Sequence, residues 1–484
     1  MAQQPPKVDT LKIYKIPEIL VTEKYRDAEV RSTSPLQILS SEQIEKLNVL
    51  QVSDAVKYFS GVSVIDYGGI GGLKTVSVRG LGATHTAVTY DGITLSDVQT
   101  GQLDLGRFSL DHIEMLSLNN GQGDNIFQPA RSFAAASVLN IRTLSPQFSG
   151  SKKVNGKVSM KVGSFGLFNP SFWVEGKLNT KLSASFTGEW LGANGEYPYT
   201  LNYGSAKGDS TSSEIRKNTD VHNIRLEAAL YANFSDNESG FIKSYFYQSE
   251  RGLPGATIYY NTDNFSSQRI WDHTFFTQAH YEKNFSKLLD FQANAKFNQG
   301  YLHYLDPTYL STEGKLENSY WQQEYYGSAA VLYRAFKNIS FSASSDIALA
   351  TMSADVKDFS YPTRLTGLSV IAAKYANNQV LATASLLGTL VDETVRTGQF
   401  AMNYQHLSPY ISLSVKPFEK QDVRFRFFYK EIFRMPTFND LYYPRMGSTN
   451  LKPENTRQFN LGLSYSVSFG KILPLFSITL DGYH

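Results

Sequence analysis

Cysteine is absent from the 484 residues of this chain, which excludes disulfides and thiolate metal sites. The absence suits a protein that crosses an oxidising compartment. No apolar run reaches the length of a transmembrane helix, so a helical membrane protein is excluded as well. Charged residues make up only 19 %, and the net charge of +2 leaves no basic tract for phosphate groups. Nucleic acid is therefore not an expected partner.

Motifs of the common enzyme and nucleotide-binding classes are also missing. The chain has no H-E-x-x-H, no G-x-S-x-G and no Walker A sequence, and YGGIGG at 67–72 lacks the lysine that would hold a phosphate. We therefore expect no enzyme activity and no resident cofactor or metal. Carboxylates such as Asp306 and Glu313 are interpreted as solvated loop charges, and Asp209 and Glu214 are the candidates for a loop calcium.

The N-terminus carries no recognisable secretory signal. Met1 leads directly into polar residues 2–7, without a basic or an apolar region. The barrel pattern described next makes little sense in the cytosol, so we expect that a signal segment has been removed. Residues 1–15 are expected to be a flexible segment.

Helix and strand patterns mix in short pieces before residue 150. Ser40 and Ser41 precede 42–47 as the cap of a predicted helix, and 52–58 predicts a second helix that ends at Gly61. This part of the chain is predicted to be a compact α+β domain.

After Ser151 the pattern changes to strict alternation of apolar and polar residues, as in Leu226, Ala228 and Leu230. Each predicted strand has one apolar face, and we expect the other face to be in contact with water. Alternation alone is compatible with a soluble β-sandwich as well as with a membrane barrel.

The lengths of the connections favour the barrel. Tight connections, such as those near 236–237 and 377–378, alternate with long polar loops, such as 192–221 and 435–455. Barrels in outer membranes have short turns on one rim and long loops on the other. Aromatic residues, 13 % of the chain, cluster near predicted strand ends, as at Tyr245 and Tyr247, which suggests an interfacial girdle. Counting segments predicts about 15 strands.

Five segments resemble the TonB-dependent receptor family. TVSVRGLGATHTAVTYDGITLSD at 75–97 is similar to the signature of its plug domain, and 39–64, 111–121 and 136–143 match flanking plug elements. FRMPTFNDLYYPRMGSTNLKPENTRQFNLGL at 433–463 is similar to the signature between the thirteenth and fourteenth strands of the family's barrel.

Two departures from the family pattern stand out. Ser60 replaces the usual proline, and Asn119, Asn120 and Gly121 replace the usual R-G-P.

The resemblance implies a mainly β fold, a transmembrane antiparallel β-barrel filled by an N-terminal α+β plug. We expect the plug at 23–145 and the first part of the barrel at 151–484. The family's barrel has 22 strands, so about seven are expected to come from sequence beyond His484 or from another chain.

The resemblance also implies import across the bacterial outer membrane, driven by the inner-membrane proton gradient through TonB. TonB would pair with an extended box, for which 16–22 is the candidate and 9–13 the second choice. The alternative for 16–22 is an ordinary edge strand. The box residues are Pro17, Glu18, Ile19, Leu20, Val21 and Thr22.

Arg79, Gly80, Asp91 and Gly92 are the plug-signature residues in this chain. We expect the guanidinium of Arg79 to fork onto an inward carboxylate of the wall, such as Glu189 or Glu227. A solvated Arg79 is the alternative.

Ligand contacts in the family come from plug loops and barrel loops, and the corresponding plug loops here are 66–72 and 96–102. A corrinoid such as cobalamin is the first expected substrate, because the plug spacing and the box region look most like the cobalamin receptors. The candidate ligand-binding residues are Asp66, Tyr67, Gly68, Gly69, Ser96, Asp97, Gln99 and Gln102.

A ferric siderophore or haem is the alternative substrate. Residues 435–450 contain no histidine for haem, and His85 is interpreted as structural. A passive porin or a surface adhesin is the alternative from another class. Further expected partners are the lipid bilayer with its lipopolysaccharide and a surface lipoprotein that captures the ligand.

Overall fold

The computed structural model describes residues 25, 27–204, 210–255, 266–310, 312, 314–444, 446–467, 469 and 476–484. The predicted TonB box at 16–22 and its second choice at 9–13 lie outside the described residues, as do Asp209 and Glu313. Two units follow one another along the chain, and we call them the plug (up to Thr143) and the wall (from Val154).

The plug contains a five-stranded sheet in the order β1-β6-β7-β4-β5 and a separate pair, β2 and β3. Its strands are β1 (Leu36–Ser40), β2 (Val62–Asp66), β3 (Lys74–Val78), β4 (Thr86–Tyr90), β5 (Ile93–Thr94), β6 (Ile113–Asn120) and β7 (Ser137–Thr143). β4 and β7 pair in parallel, and the other neighbours are antiparallel. β1 is an edge strand, because β6 is its only partner among the described residues.

Two short helices lie where the sequence predicts them. Helix α1 (Ser41–Leu47) begins at Ser40, whose hydroxyl accepts from the backbone N–H of Gln43 while the Gln43 side chain accepts from Ser40 in return. This capping box satisfies two helix donors that would otherwise be unpaired. Helix α2 (Val52–Ala55) continues as a 3-10 turn, Val56–Tyr58. Both predicted helices are confirmed.

The plug is built around an apolar core. Val52, Leu105 and Leu116 have no exposed surface and pack in one cluster with Leu139 and Ile141 of β7. Burial of side chains of this size contributes about 1.5–3 kcal/mol each. The hydrophobic effect therefore stabilises the plug as in a soluble domain.

The wall is one antiparallel sheet of 15 strands within the described residues, so the predicted count is confirmed. Its strands are β8 (Val154–Gly163), β9 (Leu167–Lys177), β10 (Leu182–Ala193), β13 (Val221–Ser235), β14 (Glu238–Leu253), β15 (Gln268–Asn284), β16 (Leu289–Asp306), β17 (Leu316–Phe336), β18 (Ile339–Ala354), β19 (Pro362–Ala376), β20 (Val380–Val395), β21 (Tyr404–Val415), β22 (Asp422–Arg434), β23 (Glu454–Val467) and β24 (Phe476–Tyr483). They pair in chain order, and a hairpin of β11 (Tyr197–Asn202) and β12 (Thr211–Arg216) lies in the connection between β10 and β13.

The two faces of the wall are the reverse of those in a soluble sheet. On β13, Leu226 is exposed, whereas its neighbours Arg225 and Glu227 are buried. The sheet turns its polar face toward the plug, so the expectation that this face contacts water is wrong. The apolar face points outward, as in a lipid-facing barrel.

Tyr245 and Tyr247 do not lie in an interfacial girdle. Both are buried on the inner face of the wall and pack with the plug core, so the girdle prediction is wrong for these two residues. The connection between β22 and β23 carries helix α3 (Phe438–Tyr442). None of the helices among the described residues has the length and hydropathy to cross a membrane.

Candidate functional site

The plug-signature dipeptides form two tight turns. Arg79 and Gly80 have φ of 55° and 78°, and Asp91 and Gly92 have φ of 50° and 84°. Tyr90 pairs with Ile93 across the second turn. Two positive φ angles in succession are the geometry of a type I′ hairpin turn, which favours Asp-Gly. The backbone conformation of the turn therefore explains the Asp-Gly pair in the plug signature.

Arg79 does not pair with the expected carboxylates. It donates to Asn460 Oδ1 at 2.8 Å, and its guanidinium lies 4.3 Å from the ring centroid of Tyr483. Glu189 pairs with Arg225, and Glu227 pairs with Lys243. The expectation of a fork from Arg79 onto Glu189 or Glu227 is wrong, because wall cations already occupy both carboxylates.

Asp91 connects the plug to the wall through a buried ion pair. Lys243 of β14 contacts Asp91 at 2.6 Å and Glu227 at 3.1 Å, and the Lys243 side chain has no exposed surface. The hydroxyl of Tyr90 donates to Glu227 at 2.5 Å. One lysine thus joins a plug carboxylate and a wall carboxylate.

A second buried cluster joins the other side of the plug to the wall. Glu324 of β17 contacts Arg131 of the plug at 2.8 Å and Lys296 of β16 at 2.8 Å. The hydroxyl of Ser96 donates to the same carboxylate at 2.5 Å. Asp346 of β18 accepts from the backbone N–H of Arg131 at 2.7 Å. Wall carboxylates therefore hold both the side chain and the backbone of this plug segment.

The N-terminal end of the plug is anchored separately. The backbone N–H of Thr33 donates to Asp124 Oδ2 at 3.2 Å, and Lys374 of β19 donates to the backbone carbonyl of Asp124 at 2.8 Å. Burial raises the pKa of the Asp124 carboxyl above its ordinary value, although the hydrogen bonds from Thr33 oppose the shift.

A cavity of about 320 Å³ lies between the plug and the wall. Plug residues 84–88 and 94–98 line one side, and strands β17 to β20 and β22 line the other. The lining lies toward the long-loop ends of these strands, as Arg364 near the start of β19 and Arg434 at the end of β22 show. The cavity therefore lies toward the rim of the wall that carries the long connections.

The structure separates the two predicted ligand loops. Ser96 and Asp97 line the cavity, together with Gly101 of the same loop. Gln99 is buried and Gln102 is half-buried, and neither is among the lining residues.

The other loop, 66–72, lies apart from the cavity. The Asp66 carboxylate accepts from the backbone N–H groups of Gly68 and Gly69, and the Tyr67 side chain is exposed. A Cβ at Gly71 would lie 2.8 Å from Cβ of Val221, so the loop packs closely against β13. Of the two predicted ligand loops, 96–102 contributes to the lining of the cavity and 66–72 does not.

A segment of the long β22–β23 connection, residues 435–443, folds inward over the cavity, and we call it the cover segment. The backbone N–H of Phe438 donates to the carbonyl of Val98 at 3.3 Å, and that of Asn439 donates to the carbonyl of Gln99 at 3.0 Å. Arg364 of β19 donates to the carbonyl of Pro436 at 2.9 Å. Hydrogen bonds from both plug and wall therefore hold the cover segment down.

His85 lies at the edge of the cavity and contacts Glu454 at 2.9 Å. Glu454 also accepts two bonds from Arg434, at 3.0 Å and 2.5 Å. Burial and the charge of Arg434 lower the pKa of the imidazole, although Glu454 opposes the shift. His85 is therefore neutral near pH 7.

Metal-ligand clusters are not evident in the described part of the chain: no three His, Asp or Glu side chains lie close enough together to hold an ion. Glu214 lies on β12. Sequence reasoning missed Arg131, Glu324 and Thr94 as cavity residues. Thr94 lies within the plug signature but was not singled out there, and Arg131 meets Glu324 only through long-range packing of the plug against the wall.

Sequence profiles of two families match the chain. The TonB-dependent Receptor Plug Domain matches residues 28–132, and the TonB dependent receptor-like β-barrel matches residues 173–484. The chain is similar to the vitamin B12 transporter BtuB of Vibrio vulnificus (strain YJ016), with 22 % identity over 479 residues, 96 % of this chain and 69 % of that protein.

Solved structures share the fold. The FrpB iron transporter from Neisseria meningitidis (F3-3 variant) superposes with a TM-score of 0.73 at 12 % identity, over 93 % of this chain and 73 % of that one. A mutant of the ferric enterobactin receptor PfeA from Pseudomonas aeruginosa, in complex with enterobactin, gives a TM-score of 0.67 at 14 % identity, over 89 % of this chain and 69 % of that one.

Proposed function

Because the chain belongs to the TonB-dependent receptor family, outer-membrane transporters rather than enzymes, we propose that its cargo is a corrinoid such as cobalamin. Transport in this family depends on TonB. The observation that carries the proposal is the similarity to a vitamin B12 transporter along 96 % of this chain.

The charges around the cavity also favour a neutral cargo. Each arginine among the lining residues has a carboxylate partner: Arg131 with Glu324, Arg364 with Glu393, and Arg434 with Glu454. Ferric siderophores and other anionic ligands are recognised by cations that are free to pair with them. A site with balanced charge suits a ligand that presents neutral amides.

A ferric siderophore is the second candidate, supported by the fold shared with the iron transporter and the enterobactin receptor. That support is limited to the fold, since the identities are 12 % and 14 %. Haem is less well supported, because His85 is buried against Glu454.

The substrate is tested by uptake in a strain that lacks its own receptors. Cells expressing the complete receptor are supplied with labelled cobalamin, ferric enterobactin or haem at limiting concentration. We expect TonB-dependent uptake of cobalamin and no growth benefit from the iron sources. Uptake of an iron source without cobalamin uptake would replace the proposed substrate.

We propose that residues 17–22 are the TonB box. Their deletion is expected to abolish uptake while binding at the cell surface persists, because an added strand supplies only the coupling. Deletion of 9–13 is the matched control. Uptake that survives loss of 17–22 but not of 9–13 would assign the box to the second segment.

We also propose that the apolar outer face of the wall contacts the bilayer with its lipopolysaccharide and that a surface lipoprotein delivers the ligand. Co-purification of a lipoprotein with the receptor, only when the substrate is present, is the expected result.

A further inference from the structure

A groove lies on the outward face of the wall, near the rim that carries the long connections. It has a volume of about 500 Å³ and is formed by strands β17 to β20. Its lining combines Trp321, Tyr361 and Arg396 with several uncharged polar side chains. We call it the rim groove. It is separate from the cavity between plug and wall, since none of the described residues lines both.

The register of the wall fixes the level of the rim groove along the strands. Trp190, Tyr301 and Trp321 belong to one outward row of residues that pair from strand to strand between β10 and β17. Two rows nearer the short turns, exposed apolar residues pair in the same way, as at Leu349 and Leu365. Aromatic rows in membrane barrels lie at the boundary between headgroups and acyl chains. The rim groove is therefore at the level of the headgroups.

The row between these two levels is polar, and its side chains have no partner within the protein. Its members pair in register on β17 to β20 and make no side-chain hydrogen bond to any described residue: Gln323, Thr351, Thr363 and Thr394. Nearer the short turns the outward hydroxyls do pair, Ser345 with Ser369 at 3.2 Å and Ser244 with Thr277 at 3.0 Å. Polar groups that face acyl chains need such partners, because no water reaches them. The unpaired row therefore indicates a polar occupant from outside the chain.

Arg396 is the one charged side chain among the described residues that line the rim groove. It is exposed, and it makes no ion pair within the described part of the chain. Its guanidinium lies 5.7 Å from the ring centroid of Tyr361, whose hydroxyl donates to the carbonyl of Ala354 at 3.4 Å. By contrast, Arg457 on the outward face of β23 contacts Glu431 at 3.5 Å. Arg396 is therefore positioned but not neutralised, so it can pair with an anion.

Other charged residues lie near the rim groove without lining it. Asp392 faces outward on β20, four residues from Arg396, which corresponds to about 13 Å along a strand. The connection between β18 and β19 carries Asp355, Lys357 and Asp358, which also lie outside the lining. The charge inside the groove is therefore the single positive charge of Arg396.

A guanidinium beside a row of hydroxyl and amide groups, at the level of the headgroups, fits a phosphorylated sugar. Arginine binds phosphate through paired, charge-assisted hydrogen bonds, and hydroxyl and amide groups both donate to and accept from sugar hydroxyls. We propose that the rim groove binds the phosphorylated sugar headgroup of a lipopolysaccharide molecule, with Arg396 on a phosphate and the row from Gln323 to Thr394 on the sugar. The inference rests on the contact with lipopolysaccharide proposed above, to which it gives a place and a chemistry. It does not depend on the cargo.

The test compares two arginine variants of the complete receptor, purified in detergent and freed of lipid. Arg396→Gln removes the charge of the rim groove. Arg457→Gln is the matched control, because Arg457 also faces outward near the rim of the long connections but has Glu431 as its partner. Each protein is titrated with a lipopolysaccharide that carries phosphates on its sugar headgroup, and native mass spectrometry gives the dissociation constant.

We expect Arg396→Gln to bind lipopolysaccharide about tenfold more weakly than the wild type, in the range of a lost hydrogen bond to a charged group, and Arg457→Gln to bind it equally well. A second pair tests the polar row. Thr363→Val removes one hydroxyl of the row and is expected to weaken binding about fivefold, whereas Ser369→Ala, nearer the short turns on β19, leaves it unchanged. Equal dissociation constants within both pairs would overturn the rim groove as a binding site.

Three further ligands separate the possible sources of the phosphate. Phosphatidylglycerol has a phosphate without a sugar, and an equal effect of Arg396→Gln on its binding would overturn the sugar headgroup. Lipopolysaccharide without phosphates is expected to bind the wild type as weakly as the intact form binds Arg396→Gln, and binding at full strength would overturn the role of Arg396. Inorganic phosphate that displaces lipopolysaccharide at equal concentration would show a site for free phosphate and overturn the proposal.

Failure of the proposed contact with lipopolysaccharide gives a different result. A wild-type receptor that binds no lipopolysaccharide would overturn that contact as a whole. Binding that the wild type and all the variants share would retain the contact and overturn only the rim groove.

Discussion

The plug buries a core of apolar side chains, such as Leu105 and Leu116, whereas the side chains buried on the inner face of the wall include Lys243, Glu324 and Asp346. The wall exposes its apolar side chains instead, as at Val158 and Ile347. The plug is thus organised like a soluble protein and the wall in the reverse sense. Their contact surface combines buried charged pairs, such as Lys243 with Asp91, with apolar clusters that contain both plug and wall residues, such as Phe133 and Leu368.

The largest expected effect comes from breaking a buried pair between plug and wall. Lys243→Ala leaves Asp91 and Glu227 buried without their cation, which is expected to cost about 3–5 kcal/mol. The measurement is the urea concentration at which trypsin begins to cleave the plug in detergent.

An exposed pair provides the control for this variant. Lys157 of the wall contacts Glu45 of the plug at 3.4 Å, and both side chains are more than half exposed. Lys157→Ala is expected to change stability by less than about 1 kcal/mol. Equal effects of the two lysine variants would contradict the view that buried charges hold the plug.

The next largest destabilisation is expected from truncating a buried side chain in the plug core. Leu116→Ala removes a fully buried side chain and is expected to destabilise the plug by about 2–5 kcal/mol, from lost transfer energy and the space left behind. Ile347→Ala on the outward face of the wall is the comparison, since Ile347 is 60 % exposed in the absence of lipid. Thermal unfolding in detergent should separate the two, and a larger loss for Ile347→Ala would refute the contrast.

A smaller effect is expected at the turn of the plug signature. A Cβ at Gly92 meets nothing within 4 Å, but its φ of 84° is unfavourable for other residues, so Gly92→Ala should cost roughly 1–2 kcal/mol. Gly176 on β9 has equally open surroundings without a positive φ, so Gly176→Ala should be neutral. Equal destabilisation of the two variants in unfolding curves would show that the positive φ of Gly92 is not the cause.

The smallest expected effect is a pH dependence at His85. Its pKa in the folded chain lies below the ordinary value of about 6.5 because it is buried beside Arg434, so the unfolded chain binds the extra proton more readily. At alkaline pH His85 is neutral in both the folded and the unfolded chain and does not affect the free energy of unfolding. As the pH drops through about 6.5 toward the lowered pKa, the unfolded chain takes up the proton first, so the free energy of unfolding falls. In His85→Gln the loss of stability that protonation of His85 causes at acidic pH should disappear. Melting curves recorded from mildly alkaline to mildly acidic pH measure it. An unchanged pH profile would show that charging His85 is tolerated.

Local sequence was sufficient for the elements whose causes are local. The Ser40 cap, the Asp91-Gly92 turn and the alternation of the wall strands each follow from a few neighbouring residues. Alternation reports that the faces differ, but it does not report which face meets the plug. The expected contact of the polar face with water was therefore wrong, although Glu189 and Glu227 do point inward as predicted.

Contacts between the plug and the wall could not be predicted from neighbouring residues in the sequence. Arg79 and Asn460 are 381 positions apart, and nothing near Arg79 distinguishes that amide from the carboxylates expected for it. The cavity depends on the same long-range placement, since Thr94 and Arg131 meet at one wall only after the plug sheet and the wall have formed.

The edge position of β1 has a mechanical consequence. A pull delivered by TonB to the residues ahead of β1 loads Val30, whose carbonyl accepts from Ser464 of β23, before it loads Thr33. The bonds from Thr33 to Asp124 then pass the force through the backbone of Asp124 to Lys374 on the wall. Beyond that point β1 resists with only one ladder, five residue pairs with β6, whereas β6 and β7 are each held on two sides. Traction would therefore peel one strand from the edge while the inner strands, including those that border the cavity, still bear no load.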